Sequence, residues 1–91
     1  MEKKYKVKDE YLLKEVAGEY IVVPVGKEAV SFHGVINLNE TGKFLFENLT
    51  KPISILELVS KLTEVYDVNE EQAIKDVKLF VETLIKNNVL E

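Results

Sequence analysis

Few side chains in this sequence could act chemically on a substrate. His33 is the only histidine, and Ser31 lies two residues before it. Residues two apart on a β-strand point to the same face, so this pair could form part of a nucleophilic triad. Neither a Gly-x-Ser-x-Gly turn nor an orienting acid accompanies the pair. We therefore interpret His33 as a solvent-facing strand residue and expect no enzymatic activity.

The sequence also offers little for a metal or a cofactor. It contains no cysteine and a single histidine, so a zinc site would need several converging carboxylates. The acidic pairs Asp9-Glu10 and Glu70-Glu71 are interpreted as solvated charges. The glycines are dispersed and form no phosphate-binding motif; they are Gly18, Gly26, Gly34 and Gly42. We expect neither a metal nor a cofactor.

The charge of the chain argues against a nucleic-acid partner. The 91 residues carry a net charge of −4, and all 12 basic residues are lysine. Arginine supplies the planar fork used for phosphate and guanine recognition, and it is absent here. No apolar run has the length of a signal peptide or a membrane span. We expect a cytoplasmic protein that binds neither nucleic acid nor membrane.

Hydrophobic alternation predicts three strands in the first 38 residues. The third, over 29–38, alternates apolar and polar side chains with a period of two. Two earlier β-rich segments, 11–17 and 20–25, are separated by short glycine turns, which favours an antiparallel meander. Residues 1–10 are highly charged and are expected to be frayed, unless Tyr5 and Val7 extend the first strand.

Three amphipathic helices are predicted after the strands. Their N-caps are predicted at Asn39, Ser54 and Asn69, with Ser54 in a capping box with Glu57. The last helix is expected to end at Asn87-Asn88, after which Val89 and Leu90 fold back onto the core. The expected core face of the second helix comprises Ile55, Leu58, Val59, Leu62, Val65 and Tyr66, and that of the third comprises Ala73, Val77, Phe80, Val81 and Leu84. Three strands followed by three helices predict a single α+β domain over 1–91, with helices on one face of an antiparallel sheet.

Two positions stand out against this scaffold. Gly34, inside the third strand, marks either a simple kink or a place where another backbone comes close. Leu79 falls opposite Val77 and Val81 on the helical wheel, on a side shared with Gln72, Asp76 and Thr83. A lone exposed leucine usually has no role, but the third helix could line a groove beside the sheet.

Four motifs follow one another along the chain: Gly34 to Gly42 (GVINLNETG), Glu57-Leu58-Val59, Tyr66-Asp67-Val68, and Asp76-Val77 with Phe80 and Leu84. In this order they resemble the PqqD family, which comprises coenzyme PQQ synthesis protein D and related recognition elements for ribosomally synthesised and post-translationally modified peptides (RiPPs). The resemblance extends from about Tyr11 to Leu90. The chain departs from it at Val35-Ile36, where many members carry an aromatic residue, and at Asn87-Asn88, where a glycine is usual.

The resemblance implies a winged-helix-like, non-catalytic peptide chaperone without a cofactor. Such proteins bind the leader segment of a precursor peptide and present it to a modifying enzyme, often a radical SAM enzyme. The leader adds a strand to the third strand of the sheet, beside the third helix. The peptide-binding residues implied here are Phe32, His33, Gly34, Val35, Ile36, Asp76, Leu79 and Thr83. An open sheet edge can also pair with itself, so both a monomer and a homodimer are compatible with the sequence.

Two other functions fit the same elements. One is a DNA-binding winged-helix regulator, and the other is a structural subunit that stabilises an enzyme without contacting its substrate. The segment 69–88 carries three lysines against four acidic residues, so DNA phosphates should repel the helix that would read DNA. The sequence therefore favours the peptide-binding function over the DNA-binding one.

Overall fold

The computed structural model describes residues 3–26 and 36–91, which form an α+β fold. The strands are β1 (Lys4–Tyr5), β2 (Tyr11–Val16), β3 (Glu19–Pro24), β4 (Ile36–Leu38) and β5 (Ile53–Ser54). The helices are α1 (Glu40–Asn48), α2 (Ile55–Val65) and α3 (Glu70–Lys86). The predicted order of a three-stranded sheet followed by three helices is confirmed.

The main sheet is the predicted antiparallel meander, in the order β2-β3-β4. β2 and β3 are joined by the two-residue turn Ala17-Gly18, where φ is 52° and 81°. Positive φ at both central positions is the property of a type I′ turn, whose twist matches that of the flanking strands. Pro24 is the last residue of β3, as expected for a residue that cannot donate to a ladder. Most of the predicted third strand, 29–35, lies outside the described residues.

Each helix begins at the N-cap that the sequence predicts. Asn39 Oδ1 accepts a hydrogen bond of 2.7 Å from the Gly42 N–H, and Asn69 Oδ1 accepts one of 2.8 Å from the Gln72 N–H. At α2 the capping box is complete, because Ser54 Oγ accepts from the Glu57 N–H while Glu57 Oε1 accepts from the Ser54 N–H. These bonds satisfy N–H groups that a helix leaves without partners in its first turn.

The core lies between the sheet and the three helices. Its fully buried side chains include Val22 from the sheet, Leu45 and Leu49 at α1, Leu58 and Leu62 from α2, and Val77, Val81 and Leu84 from α3. The prediction that Val65 belongs to the core is wrong, because this side chain is 61% exposed. It is the last residue of α2, and the ring of the next residue, Tyr66, instead packs edge-on against Phe44 at 5.5 Å.

The N-terminal segment differs from its expected frayed state over the residues that the structure describes. Lys4–Tyr5 pairs antiparallel with Ile53–Ser54 in a second, two-stranded sheet. Val7 is 3% exposed, and its N–H donates to the Leu49 carbonyl at 2.8 Å. The apolar side chains at positions 5 and 7 hold this charged segment against the core, because burying them removes apolar surface from water.

The chain's last residues close the same side of the molecule. Asn88 adopts the left-handed conformation with φ 59°, as the sequence predicts, and Val89 and Leu90 are buried. Val7 forms a β-bridge with Leu90. Within residues 3–26 and 36–91, no helix combines the length and apolar character needed to cross a membrane.

Candidate functional site

A groove of about 330 Å³ lies between β4, the beginning of α1 and α3. Four of the predicted peptide-binding residues line it together, namely Ile36 from β4 and Asp76, Leu79 and Thr83 from α3. The other four, Phe32, His33, Gly34 and Val35, lie outside the described residues. Ile36 and Asp76 are 40 residues apart in the sequence, so only the fold brings β4 and α3 together at the groove.

The floor of the groove depends on close packing around Gly42. A Cβ atom at this position would lie 3.3 Å from both Leu38 Cβ and Phe80 Cε1, and 3.2 Å from Asn39 Oδ1. Glycine therefore allows the first turn of α1 to approach β4 and α3 closely. Phe80, which the sequence assigns to the core face, is half-buried and lines the groove.

The open edge of β4 follows from the hydrogen-bond alternation of the sheet. The Val25 N–H donates to the Glu10 carbonyl at 2.7 Å, which makes these two residues a hydrogen-bonded pair in the β2–β3 ladder. Pairs alternate in an antiparallel ladder, so Tyr20 and Val22 direct their N–H and C=O groups to the opposite neighbour, β4. Their partners there are Leu38 and Ile36.

Asn37 therefore directs its backbone N–H and C=O away from β3, toward the outer edge of the sheet. β4 is the last strand of the sheet order, and Asn37 is exposed. Within the described part of the chain, no other backbone group is bonded to Asn37 at this edge. Ile36 and Leu38 sit on the opposite strand face from Asn37, and both pack against the core. The edge thus offers one donor and one acceptor to an added strand.

The α3 side of the groove carries an apolar and an acidic residue one turn apart. Leu79 is 65% exposed, although it is a large aliphatic side chain. Asp76 Oδ1 accepts a hydrogen bond of 2.9 Å from Gln72 Nε2. Thr83 Oγ1 donates to the Leu79 carbonyl at 2.9 Å, so its hydroxyl hydrogen is already used within the helix. Among the described lining residues, Asp76 is the only charged one.

Displaced pKa values occur at structural contacts away from the groove. The hydrogen bond from the Ser54 N–H lowers the pKa of the Glu57 carboxyl, with a smaller contribution from Lys4. Hydrogen bonds to Asp9 and Glu91 raise the pKa of the Lys6 ammonium. Within the described ranges, no three His, Asp or Glu side chains are grouped as a metal site.

Asn37, Leu38 and Phe80 are groove residues that the sequence prediction missed. Leu38 and Phe80 carry ordinary core signals, and both also pack on the core. The role of Asn37 depends on the parity of the strand pairing. The turn at Ala17-Gly18 indicates only which β3 residues face β4, because a two-residue loop makes Val16 and Glu19 a hydrogen-bonded pair. The pairing of Asn37 with Ile21 is a further, long-range register.

Two solved structures share this fold over nearly their full length. "TbiB1 in Complex with the TbiA(beta) Leader Peptide" aligns with a TM-score of 0.75 at 17% identity, covering 94% of each chain. "Lasso peptide synthetase B1 complexed with the leader peptide" aligns with a TM-score of 0.73 at 18% identity, covering 96% of each chain. Comparison with curated proteins gives no match.

The sequence also matches a family model. The match is to coenzyme PQQ synthesis protein D (PqqD) and extends over residues 11–90, from the start of β2 to the buried Leu90. It includes all three strands of the main sheet and all three helices, and hence every element that forms the groove. The chain therefore belongs to the PqqD family.

Proposed function

We propose that this protein binds the leader segment of a ribosomally made precursor peptide and presents it to a modifying enzyme. The observation that carries the proposal is the open edge of β4 beside a groove in which Leu79 is 65% exposed. The edge supplies backbone hydrogen bonds and the groove supplies contacts for side chains, which are the two requirements of β-augmentation. The solved structures that share this fold are complexes with leader peptides, which supports the proposal.

The strand pairing defines how the leader would lie. A leader residue that pairs with Asn37 places its own side chain on the strand face of Asn37. The residues before and after it then point to the face of Ile36 and Leu38, where Leu79 and Phe80 line the groove. We propose that Phe32, His33, Gly34 and Val35 extend this edge and contact the leader further along.

We further propose that the protein has no catalytic activity and needs no cofactor. Its role is to raise the local concentration of the precursor at an enzyme that performs the chemistry. A radical SAM enzyme is the proposed partner, and the cytoplasm, where the precursor is made, is the proposed location. The protein acts as a monomer or as a homodimer, and gel filtration with and without the peptide distinguishes them, because a dimer paired through β4 would dissociate on binding.

The charge of α3, the helix that would contact DNA in a winged-helix regulator, disfavours binding to DNA. α3 carries Lys75, Lys78 and Lys86 against four carboxylates, and the whole chain has a net charge of −4. DNA affinity depends on neutralising phosphates with basic side chains. The charge of α3 is therefore unsuited to a recognition helix.

Calorimetric titration tests the proposal directly. The probes are synthetic leader segments of the short precursor peptides encoded beside this protein's gene, with a scrambled leader and a random duplex DNA as controls. We expect saturable binding of one leader without any enzyme present, and no binding of the scrambled peptide or the duplex. Salt-sensitive binding of the duplex, together with no binding of any leader, would overturn the proposed function.

A further inference from the structure

The groove is chemically asymmetric along α3. Leu79 and the half-buried Phe80 form an apolar middle, while Asp76 places a carboxylate one turn toward the helix N-terminus. Thr83, one turn toward the C-terminus, lines the groove and donates its hydroxyl hydrogen to the Leu79 carbonyl, so this hydrogen is not available to a ligand. One end of the groove on α3 is thus acidic, and the remaining described lining residues are uncharged.

The Asp76 carboxylate keeps capacity to bind a ligand. Its Oδ1 accepts from Gln72 Nε2 at 2.9 Å, which fixes the orientation of the carboxylate. A carboxylate has about four lone-pair positions, so further acceptor positions remain after this bond. In the part of the chain that the structure describes, no lysine forms an ion pair with Asp76. Asp76 is also half-buried, and a charge in such a position favours a cationic partner more than a fully exposed one does.

The spacing between Asp76 and Leu79 along α3 is nearer to one same-face step of a strand than to two. Asp76 and Leu79 are three residues apart, which corresponds to about 4.5 Å along the helix axis. Side chains on one face of a strand are two residues and about 6.7 Å apart, while those four residues apart are separated by about 13 Å. The contact with Asp76 and the contact with Leu79 therefore fall on successive groove-facing positions of an added strand.

We infer that the leader recognised here carries a lysine or arginine two residues from an aliphatic side chain, with the cation on Asp76 and the aliphatic group on Leu79 and Phe80. This inference rests on the proposed function and specifies its peptide. The net charge of −4 acts in the same direction, because it attracts a cationic segment at long range. Asp76 is in this sense a specificity-determining residue of the groove.

Selection from a displayed peptide library tests the inference without knowledge of the natural leader. The probe is a library with nine consecutive random positions, selected on the immobilised parent protein and, separately, on Asp76→Asn and Leu79→Glu. From the parent we expect enrichment of Lys or Arg at two residues from an aliphatic residue and not at one residue from it. A neighbour at one residue points to the other strand face and serves as an internal control.

The variants distinguish a local contact from general charge. Asp76→Asn should retain the aliphatic preference and lose the cationic one, whereas Glu82→Gln should leave both unchanged, since Glu82 is an exposed carboxylate on the same helix outside the groove lining. For one selected peptide, replacing its cation by norleucine should weaken binding to the parent about fivefold and leave binding to Asp76→Asn unchanged.

Each alternative result has a defined meaning. Enriched peptides that bind the parent, fail on Leu79→Glu and show no cation two residues from the aliphatic residue would overturn the inference and leave the proposed function standing. An equal loss of the cationic preference in Glu82→Gln would also overturn it, because the effect would then be one of net charge. If no peptide is enriched on the folded parent, both the inference and the proposed function fail.

Discussion

The two faces of α3 differ in burial although their residues alternate along one helix. Val77, Ala73 and Leu84 on the core face are fully buried, while Leu79 is 65% exposed on the groove face. A leucine and a valine are similar in hydrophobicity, so side-chain chemistry does not explain the difference; their positions on the helix do. Burying an aliphatic side chain contributes about 1.5–3 kcal/mol to folding. Val77 makes that contribution to the fold, whereas under the proposed function Leu79 would make it on binding the leader.

Because the core face and the groove face of α3 differ in burial, we expect the largest loss of folding stability from Val77→Glu on the core face. This substitution places a charge in a fully buried position without a partner, and we expect a loss of about 3–5 kcal/mol, which approaches the whole stability of a small domain. Urea unfolding followed by circular dichroism measures it. Cooperative unfolding within about 1 kcal/mol of the parent would show that position 77 tolerates a charge and that the two faces do not differ as described.

A glutamate on the groove face, Leu79→Glu, should weaken leader binding and leave folding stability nearly unchanged. We expect the free energy of unfolding to stay within about 0.5 kcal/mol of the parent, because the side chain is already in water. Affinity for the leader should fall at least about tenfold, since a charge would replace the apolar contact. Calorimetry and urea unfolding on the same preparation provide both values. A folded variant with the parent's affinity would place the peptide elsewhere.

An intermediate effect is expected at Asn39, which begins α1 and also lines the groove. Asn39→Ala removes the acceptor for the Gly42 N–H and should cost about 1 kcal/mol of stability. Asn39→Asp keeps a capping oxygen and serves as the matched control, with stability close to that of the parent. Thermal unfolding of the three proteins measures the series. Equal melting temperatures for parent and alanine variant would mean that this cap does not stabilise the helix.

The smallest effect concerns acid stability at the start of α2, remote from both faces. The folded pKa of Glu57 is lowered from its ordinary value of 4.5, mainly by the hydrogen bond from the Ser54 N–H. A lowered folded pKa stabilises the fold above the unfolded pKa, and this stabilisation is lost as the pH falls through the folded value. Glu57→Gln should therefore flatten the decline in stability below about pH 4.5. An unchanged acid profile from urea unfolding at several pH values would contradict the assignment.

Local signals made much of this fold predictable. The caps at Asn39, Ser54 and Asn69 depend on side chains that bond to backbone groups three residues away, so a short stretch of sequence contains the whole interaction. Leu79 and Val77 differ in helical phase, which is also a local property. The grouping of Asp76, Leu79 and Thr83 on one face of the helix could be predicted from the sequence for the same reason.

Long-range pairings were not predictable in this way. β1 and β5 contain two residues each, which is too short for a period of two to be detected, and their register pairs Tyr5 with Ile53 across 48 positions. The expected fraying is wrong for the described residues 3–10, because charge composition does not show that Val7 is buried. The outward direction of the Asn37 backbone likewise depends on a ladder set by another strand.

Backbone hydrogen bonds join residues 6–8 to residues 89–91, so these two distant segments of the sequence lie side by side. The Lys8 N–H donates to the Val89 carbonyl at 2.9 Å, and the Glu91 N–H donates to the Lys6 carbonyl at 2.8 Å. A linker of a few residues could therefore join position 91 to position 3, and the chain could be opened instead at the exposed turn Ala17-Gly18. Such a circular permutant would keep the buried contacts of the core while moving β1 and β2 from the start of the chain to its end. The order of synthesis and the architecture of this protein are, to that extent, independent of each other.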